Sequence, residues 1–431
     1  MSYAWPPGPD FWSEEFPAAT GGRTTPHLFK GIVPAHAANP DHVLDGLRAI
    51  RQAHAEDRPS GANVRVYVGE DRRDDLVEQV LTAAAWQEGA LVPWMQEIVG
   101  AERFSLMINN LETTCSEVAA GLSTFVRSTH SGWGVPLGGS EQVAFAGNYA
   151  GTAFGVHEGY EDAFLVHLGP NPKSFYCWDP KLYRDLTGGD EPKLGDYQDL
   201  LEQGEHFLLE PGDALFLPRR VFHVGTQNTF SISVAITFYT YPVTRILRKE
   251  VLPRLFDEVL ADGPSGKGDA DGIPSEMYPL AAGPDPVARA MLPIARDALA
   301  AAAPHLLDSI TEVAREYWEA SQSNGGWESV EVDIVRDLAA AAFDADAVRA
   351  GATVRVPAPY QLRTGTGRVY LRGLKADCEP TDLAGDLVSA LALGESVIVP
   401  DDPAVIKAVR ALGATGGLHL TPATTTPLEG S

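Results

Sequence analysis

The sequence predicts an α+β protein built around an antiparallel jelly-roll core. From Gln142 to Tyr241, short runs rich in Val, Phe, Ile, Tyr and Thr are separated by Gly, Pro, Asn and Asp, the pattern of many short strands joined by tight turns. On both sides of that span, apolar residues recur instead at helical spacing. The chain has 431 residues, 44% of them hydrophobic, so two or three domains can each bury a core.

Before the core, helical spacing appears in His42-Val-Leu-Asp-Gly-Leu-Arg-Ala-Ile, Asp75-Leu-Val-Glu-Gln-Val-Leu and Thr114 to Val126. Between these lie Asn63-Val-Arg-Val-Tyr-Val and Phe104-Ser-Leu-Met-Ile, β-like runs expected to join a sheet elsewhere. The core strands are expected at Ala163 to Leu168, Ser174 to Trp178, Ala214 to Leu217 and Ser231 to Phe238. After Pro242 the helical period returns. A Gly-rich loop, Asp262 to Gly272, precedes helices at Val287 to Ala302 and Leu306 to Ser321, with Pro293 starting or kinking the first. Two amphipathic helices in this place fit a dimer surface and equally fit packing between domains. From about Val330 onward, helices alternate with a hairpin candidate, Gly367-Arg-Val-Tyr-Leu-Arg-Gly, in a compact α+β module. The chain thus divides at about residues 245 and 328.

Charge and composition exclude several functions. Asp plus Glu number 58 against 33 Lys plus Arg, a formal charge of −25, which disfavours broad binding to nucleic acid. Arg363, Arg368, Arg372 and Lys375 form a small basic group, but Asp377, Glu379 and Asp382 follow at once, so an interaction module is the better reading. Cys115, Cys177 and Cys378 are few, odd in number and far apart, which fits neither a disulfide framework nor a metal knuckle and suits a reducing cytoplasm. No signal-peptide pattern opens the chain and no apolar run reaches about 18 residues, so no membrane partner is expected.

Two segments carry chemistry. Asn148-Tyr-Ala-Gly-Thr-Ala-Phe-Gly-Val-His157-Glu-Gly and Leu209-Glu-Pro-Gly-Asp-Ala-Leu-Phe-Leu-Pro-Arg-Arg-Val-Phe-His223 each place a histidine beside a core strand. In a jelly roll, strands distant in sequence face each other across the mouth, so His157 and His223 can converge on one metal ion. The Pro211-Gly212 pair makes a tight turn into a buried strand, and Pro218 ends that strand before His223.

These motifs, with Ser231-Ile-Ser-Val-Ala-Ile-Thr after His223, resemble the JmjC or cupin-type Fe(II)/2-oxoglutarate oxygenases, closest in layout to the ribosomal oxygenase branch. The resemblance covers about Leu106 to Tyr241. It implies a double-stranded β-helix within residues 1–245, a helical dimerisation region at 246–328 and a winged-helix-like module at 329–431. By this resemblance His157 and His223 match the two metal-binding histidines of a facial triad. Lys173 matches the basic residue that meets the distal carboxylate of 2-oxoglutarate. Asn148 and Tyr149 match polar residues that help hold that cosubstrate. The implied reaction consumes O₂ and 2-oxoglutarate, releases succinate and CO₂, and oxidises a substrate C–H bond.

One position departs from the pattern. The family motif reads His-x-Asp or His-x-Glu, whereas here Gly159 follows His157-Glu158, and glycine has no ligating side chain. In a regular strand Glu158 points away from the metal, and Glu161, though in phase, lies about 13 Å further along. A bend at Gly159 would be needed for Glu158, Glu161 or Asp162 to serve. His167 is a further candidate third ligand. Otherwise the site has two histidines and a vacated position open to water or chloride, an arrangement shared by some hydroxylases and by radical halogenases of this class. The expectation is therefore a hydroxylase acting on an amino acid, peptide or small metabolite, with a chloride-using halogenase as alternative and a non-catalytic cupin-like binding protein as a third reading. The branch acts on basic proteins, which an acidic surface would attract. Phe154, Tyr160, Phe175, Trp178 and Phe222 fit either a pocket lining or ordinary core.

Overall fold

A computed structural model describes residues 3–114, 116–152, 154–260, 283–328, 343–365 and 367–422. Cys115, the Gly-rich loop at 262–272, the start of the C-terminal module at 330–342 and the chain end from 423 lie outside the described residues. The described chain forms two compact units, Met1–Thr240 with Ala320–Ser431, and Tyr241–Glu319.

The first unit is dominated by an antiparallel sheet whose strands are β1 (His27–Phe29), β2 (Asn63–Val68), β3 (Asp71–Arg72), β4 (Ser105–Asn109), β5 (Ser140–Tyr149), β6 (His157–Glu158), β7 (Asp162–Pro170), β8 (Lys173–Trp178), β9 (Glu205–Leu209), β10 (Ala214–Leu217) and β11 (Phe222–Phe238). The main order is β1-β10-β7-β11-β5-β4-β2-β3. β11 is shared: its first residues pair with β6 and β8, and those from Ser231 pair with β5 and β7, with a register shift between Gln227 and Ser231. A strand that changes neighbours in this way folds one sheet over the other and leaves an interior between them.

Side-chain alternation then sets two faces. Val64 and Val66 on β2, Leu106 and Ile108 on β4, and Ala144 and Ala146 on β5 pack outward, in one core with helices α1 (Pro40–Ala55), α2 (Asp74–Thr82), α3 (Leu91–Val99) and α4 (Ser116–Trp133). α1, α2 and α4 overlap the segments of helical spacing, whereas α3 was not expected. Tyr67, Met107 and Val143, one residue out of phase, line the inner face with Phe145, Phe154 and Ala235 partly buried against them. Trp178, Tyr183 and Phe222 cover the outside of the β6-β8 layer, where α5 (Pro180–Thr187) lies and the Tyr183 and Phe222 rings stack 3.7 Å apart.

In the second unit, α6 (Leu252–Leu260), α7 (Asp285–Ala302) and the α8 residues up to Glu319 (α8 being Leu306–Ser323) pack through Val251, Leu255, Ala302 and Val313. Arg254 bridges Glu312 and Glu316, each at 3.0 Å. Pro293 lies inside α7 rather than at its start. The described residues from 343 onward include a three-stranded sheet of β12 (Thr353–Arg355), β15 (Val397–Ile398) and β16 (His419–Thr421), with α9 (Gly385–Ala392) and α10 (Pro403–Gly413). The hairpin strands β13 (Tyr370–Leu371) and β14 (Leu374–Lys375) begin later than the sequence suggested, because Arg372 and Gly373, both at positive φ, make the turn. Arg372 is turned onto the Gly416 carbonyl and the Tyr360 ring, which removes it from any basic recognition face.

The Glu210-Pro-Gly-Asp213 turn has a specific fastening. Buried Asp213 accepts from the Gly31 amide at 2.7 Å and the Glu210 amide at 2.9 Å, joining the turn to the end of β1, while Gly212 sits at φ 94°. Asp213→Ala would strand both amides and is expected to cost about 3 kcal/mol, read as a lowered urea midpoint. An unchanged midpoint would show that this fastening carries no stability.

Candidate active site

His157 and His223 meet as direct register partners on β6 and β11, with ring centroids 4.5 Å apart. They converge across one ladder and not across the barrel mouth, a correction to the jelly-roll expectation. Each imidazole is fixed the same way. His157 Nδ1 lies 3.0 Å from the Gly155 carbonyl and His223 Nδ1 lies 3.1 Å from the Val221 carbonyl, so each Nδ1–H donates to backbone and each Nε2 is left as the lone-pair nitrogen. Phe154 meets the His157 ring edge-on at 5.3 Å, and Phe175 stacks on His223 at 5.4 Å. Burial lowers the pKa of both, to about 3 for His223, where the neighbouring His157 adds to the effect. Both rings are neutral near pH 7, the form that binds a metal.

Deeper in the same interior, Lys173 is 1% exposed. Its Nζ donates to the Tyr149 hydroxyl at 2.6 Å and to Gln227 Oε1 at 3.3 Å, and lies over the Tyr149 and Phe145 rings. Neither hydrogen-bond partner carries a negative charge. Desolvation lowers the lysine pKa to about 7, and it raises that of Tyr149. A buried ammonium without a counter-charge is costly, and a carboxylate delivered beside it would relieve the cost. Gly225 makes room for it: a Cβ there would lie 2.9 Å from Lys173 Cε and 3.0 Å from the Phe175 ring.

Residues 141–246, which contain these groups, match the JmjC domain family. The chain contains a JmjC domain. The fold is that of an X-ray structure of E. coli YcfD, with TM-score 0.50 and 16% identity over 98% of this chain and 100% of that one. A crystal structure of the Escherichia coli ribosomal oxygenase YcfD aligns with TM-score 0.48 and 16% identity over 98% and 100% of the two chains. YcfD in complex with cobalt and succinic acid aligns with TM-score 0.47 and 16% identity over 92% and 95%. No curated protein matches the sequence.

Within the JmjC domain, the candidate replacements for the missing acid are all engaged elsewhere. β6 ends at Glu158, so the chain does bend after the first histidine. Even so, Glu158 faces away from the pair and meets Arg220 at 3.4 Å. Glu161 accepts from the Thr240 hydroxyl at 3.1 Å. Buried Asp162 takes the Arg219 amide at 2.9 Å and the guanidinium at 3.0 Å, which anchors the loop leading to His223. His167 is fully buried with both nitrogens used, Nδ1 on Ser233 Oγ at 2.9 Å and Nε2 on the Asn171 carbonyl at 2.7 Å. Among the described residues no group of three or more His, Cys, Asp or Glu side chains is placed to hold a metal.

Gly159 itself lies against His223. A Cβ built on it would sit 3.2 Å from His223 Cε1, and its amide donates to the Val221 carbonyl that also holds His223 Nδ1. Asn148 is not brought to the site. Its amide links the Glu102 carbonyl and the Phe104 amide, on the face of β5 opposite Tyr149. Of the five aromatics, Phe154 and Phe175 touch the histidines, Trp178 and Phe222 pack outside, and Tyr160 is exposed. Gly225 and Gln227 were missed by the sequence reading, although both fall in phase with His223 at alternate positions of one strand.

His157→Ala and His223→Ala are each expected to abolish stoichiometric binding of Fe(II) in anaerobic titration, while His167→Asn leaves it intact. Loss of binding in the His167 variant with retention in either other would reassign the ligands.

Proposed function

We propose that the protein is an Fe(II)- and 2-oxoglutarate-dependent oxygenase that hydroxylates an unactivated C–H bond of an amino acid, peptide or small metabolite. The observation that carries this reading is the pairing, in one JmjC interior, of two neutral Nε2-presenting histidines with a buried, uncompensated Lys173. Two imidazoles leave most positions on a divalent ion open, as an O₂-using iron centre needs. When bound, iron and 2-oxoglutarate supply O₂-dependent C–H oxidation with release of succinate and CO₂. The chain's own part is to bind and orient: His157 and His223 hold the metal, while Lys173, backed by Tyr149 and Gln227, receives the distal carboxylate. Phe154 and Phe175 keep the two rings in place and dry. YcfD, which shares the fold, is described as a ribosomal oxygenase and has been captured with cobalt and succinic acid.

Gly159 supports a second reading, radical halogenation, because the side chain absent there leaves a place beside His223 for chloride. With no carboxylate of the described residues beside the two histidines, the charge of a bound metal would be less compensated and anions favoured.

Three further parts of the proposal concern setting. The reduced, unpaired Cys177 and Cys378 suit the cytoplasm. No helix among the described residues is long and apolar enough to cross a membrane. Met291, Leu292, Ile294, Leu299 and Leu307 of α7 and α8 are exposed and apolar, which supports pairing of two copies through the helical unit. Sedimentation equilibrium is expected to give a dimer mass that Leu292→Arg lowers; a single-chain mass for the unaltered protein removes this part.

The central test is anaerobic titration of Fe(II) and 2-oxoglutarate followed by visible absorption, with and without chloride. A metal-to-cosubstrate charge-transfer band is expected, and it should need far more 2-oxoglutarate in Lys173→Ala. Because Lys173 titrates near 7 and an anion binds its charged form, affinity should fall as pH rises above about 7. A chloride-dependent shift of the band, lost in Gly159→Asp, selects halogenation; no shift selects hydroxylation. Bound metal without any band points to a metal cupin or a binding protein.

A further inference from the structure

The inner face holds a second cation that this reading does not use. On β2, Val64 and Val66 pack outward, so Arg65 and Tyr67 face the interior. Arg65 pairs in register with Met107, and Met107 with Phe145, the ring beneath Lys173. Two strand spacings place Arg65 about 10 Å across the sheet from Phe145. The same face leads to the metal pair: Tyr67, two positions along β2, contacts Phe154 at 5.8 Å, and Phe154 contacts His157 at 5.3 Å.

Arg65 is half-buried, and its Nε is fully buried with no acceptor among the described residues. No ion pair or other partner of its guanidinium is found among them. Glu141, on the same face two strands over, is no counter-ion for it, since its carboxylate is held by Asn109 Nδ2 at 2.9 Å, the Asn110 amide at 3.1 Å and the Tyr239 hydroxyl. A buried guanidinium donor left without an acceptor calls for an explanation, and a guanidinium is shaped to grip planar or tetrahedral oxyanions. Lys173 already serves the cosubstrate, and apolar Tyr67, Met107, Val143 and Phe154 lie between Arg65 and the histidines.

We propose that Arg65 binds an anionic oxygen group, carboxylate or phosphate, of the substrate, so that the substrate has an apolar body ending in an anion. This rests on the oxygenase reading and narrows its substrate class, and it runs against the basic protein target implied by the ribosomal-oxygenase resemblance. Arg65 acts here as a specificity residue and takes no part in the chemistry.

The test is calorimetric titration of the Fe(II)- and 2-oxoglutarate-loaded protein under nitrogen with phenylacetate, phenyl phosphate and the neutral phenylacetamide. The anions are expected to bind at least about tenfold more tightly than the amide. Arg65→Gln should erase that preference and Arg65→Lys should keep part of it. The tighter of the two anions identifies carboxylate or phosphate. Equal binding of anions and amide, or a preference unchanged in Arg65→Gln, overturns the proposal. Repeating the titration in Lys173→Gln without 2-oxoglutarate removes the other interior cation, so the test of Arg65 stands even if the protein does not bind that cosubstrate.

Discussion

β11 hydrogen-bonds through its first residues to β6 and β8 and through its last to β5 and β7, and the interior depends on that change of partners. The register shift between Gln227 and Ser231 is where the strand passes from one layer to the other. On the near side of it, alternate residues His223, Gly225 and Gln227 face inward as the ring paired with His157, the clearance for Lys173 and the lysine's partner. Opposite them on the neighbouring strands stand His157 and Lys173. One strand, through its ladders to β6 and β8, therefore sets the spacing between the histidine pair and Lys173, and main-chain hydrogen bonds rather than loops hold both.

The site is also defined by missing charge. The two rings are kept neutral by burial and directed by carbonyls of their own chain, with no carboxylate of the described residues behind either. The acids near them are engaged in fastening: Asp162 holds Arg219 and Asp213 holds the Glu210 turn. Inside with the two histidines is Lys173, among aromatic rings and neutral hydrogen-bond partners. Such an interior is unfavourable until anions enter it, so ligand binding and electrostatic relief are coupled.

Much of this was legible beforehand. The short β-runs between turn residues, the helical spacing around them and the two histidine segments located the core and the pair, because strand and helix periods are local. That Gly159 offers no ligating side chain was plain from the residue itself. Other features depended on tertiary partners. The expected strand began only at Ser231, so Gln227 lay outside it; pairing with two layers makes Phe222–Phe238 one strand of 17 residues. Asn148 and Tyr149 are neighbours in sequence but lie on opposite faces, and only Tyr149 reaches Lys173. His167 offered the right chemistry as a ligand until Ser233 and the Asn171 carbonyl appeared at its two nitrogens.

The buried Lys173 lies inside a chain whose formal charge is −25, and this has a kinetic consequence. At long range such a field repels anions of the kind that a buried ammonium attracts at contact. Encounter is then the slow step and retention the strong one, the reverse of an electrostatically steered enzyme. Salt screens the outer repulsion more than it weakens a desolvated contact. Moderate ionic strength should therefore quicken capture of anionic molecules while leaving their residence time nearly unchanged.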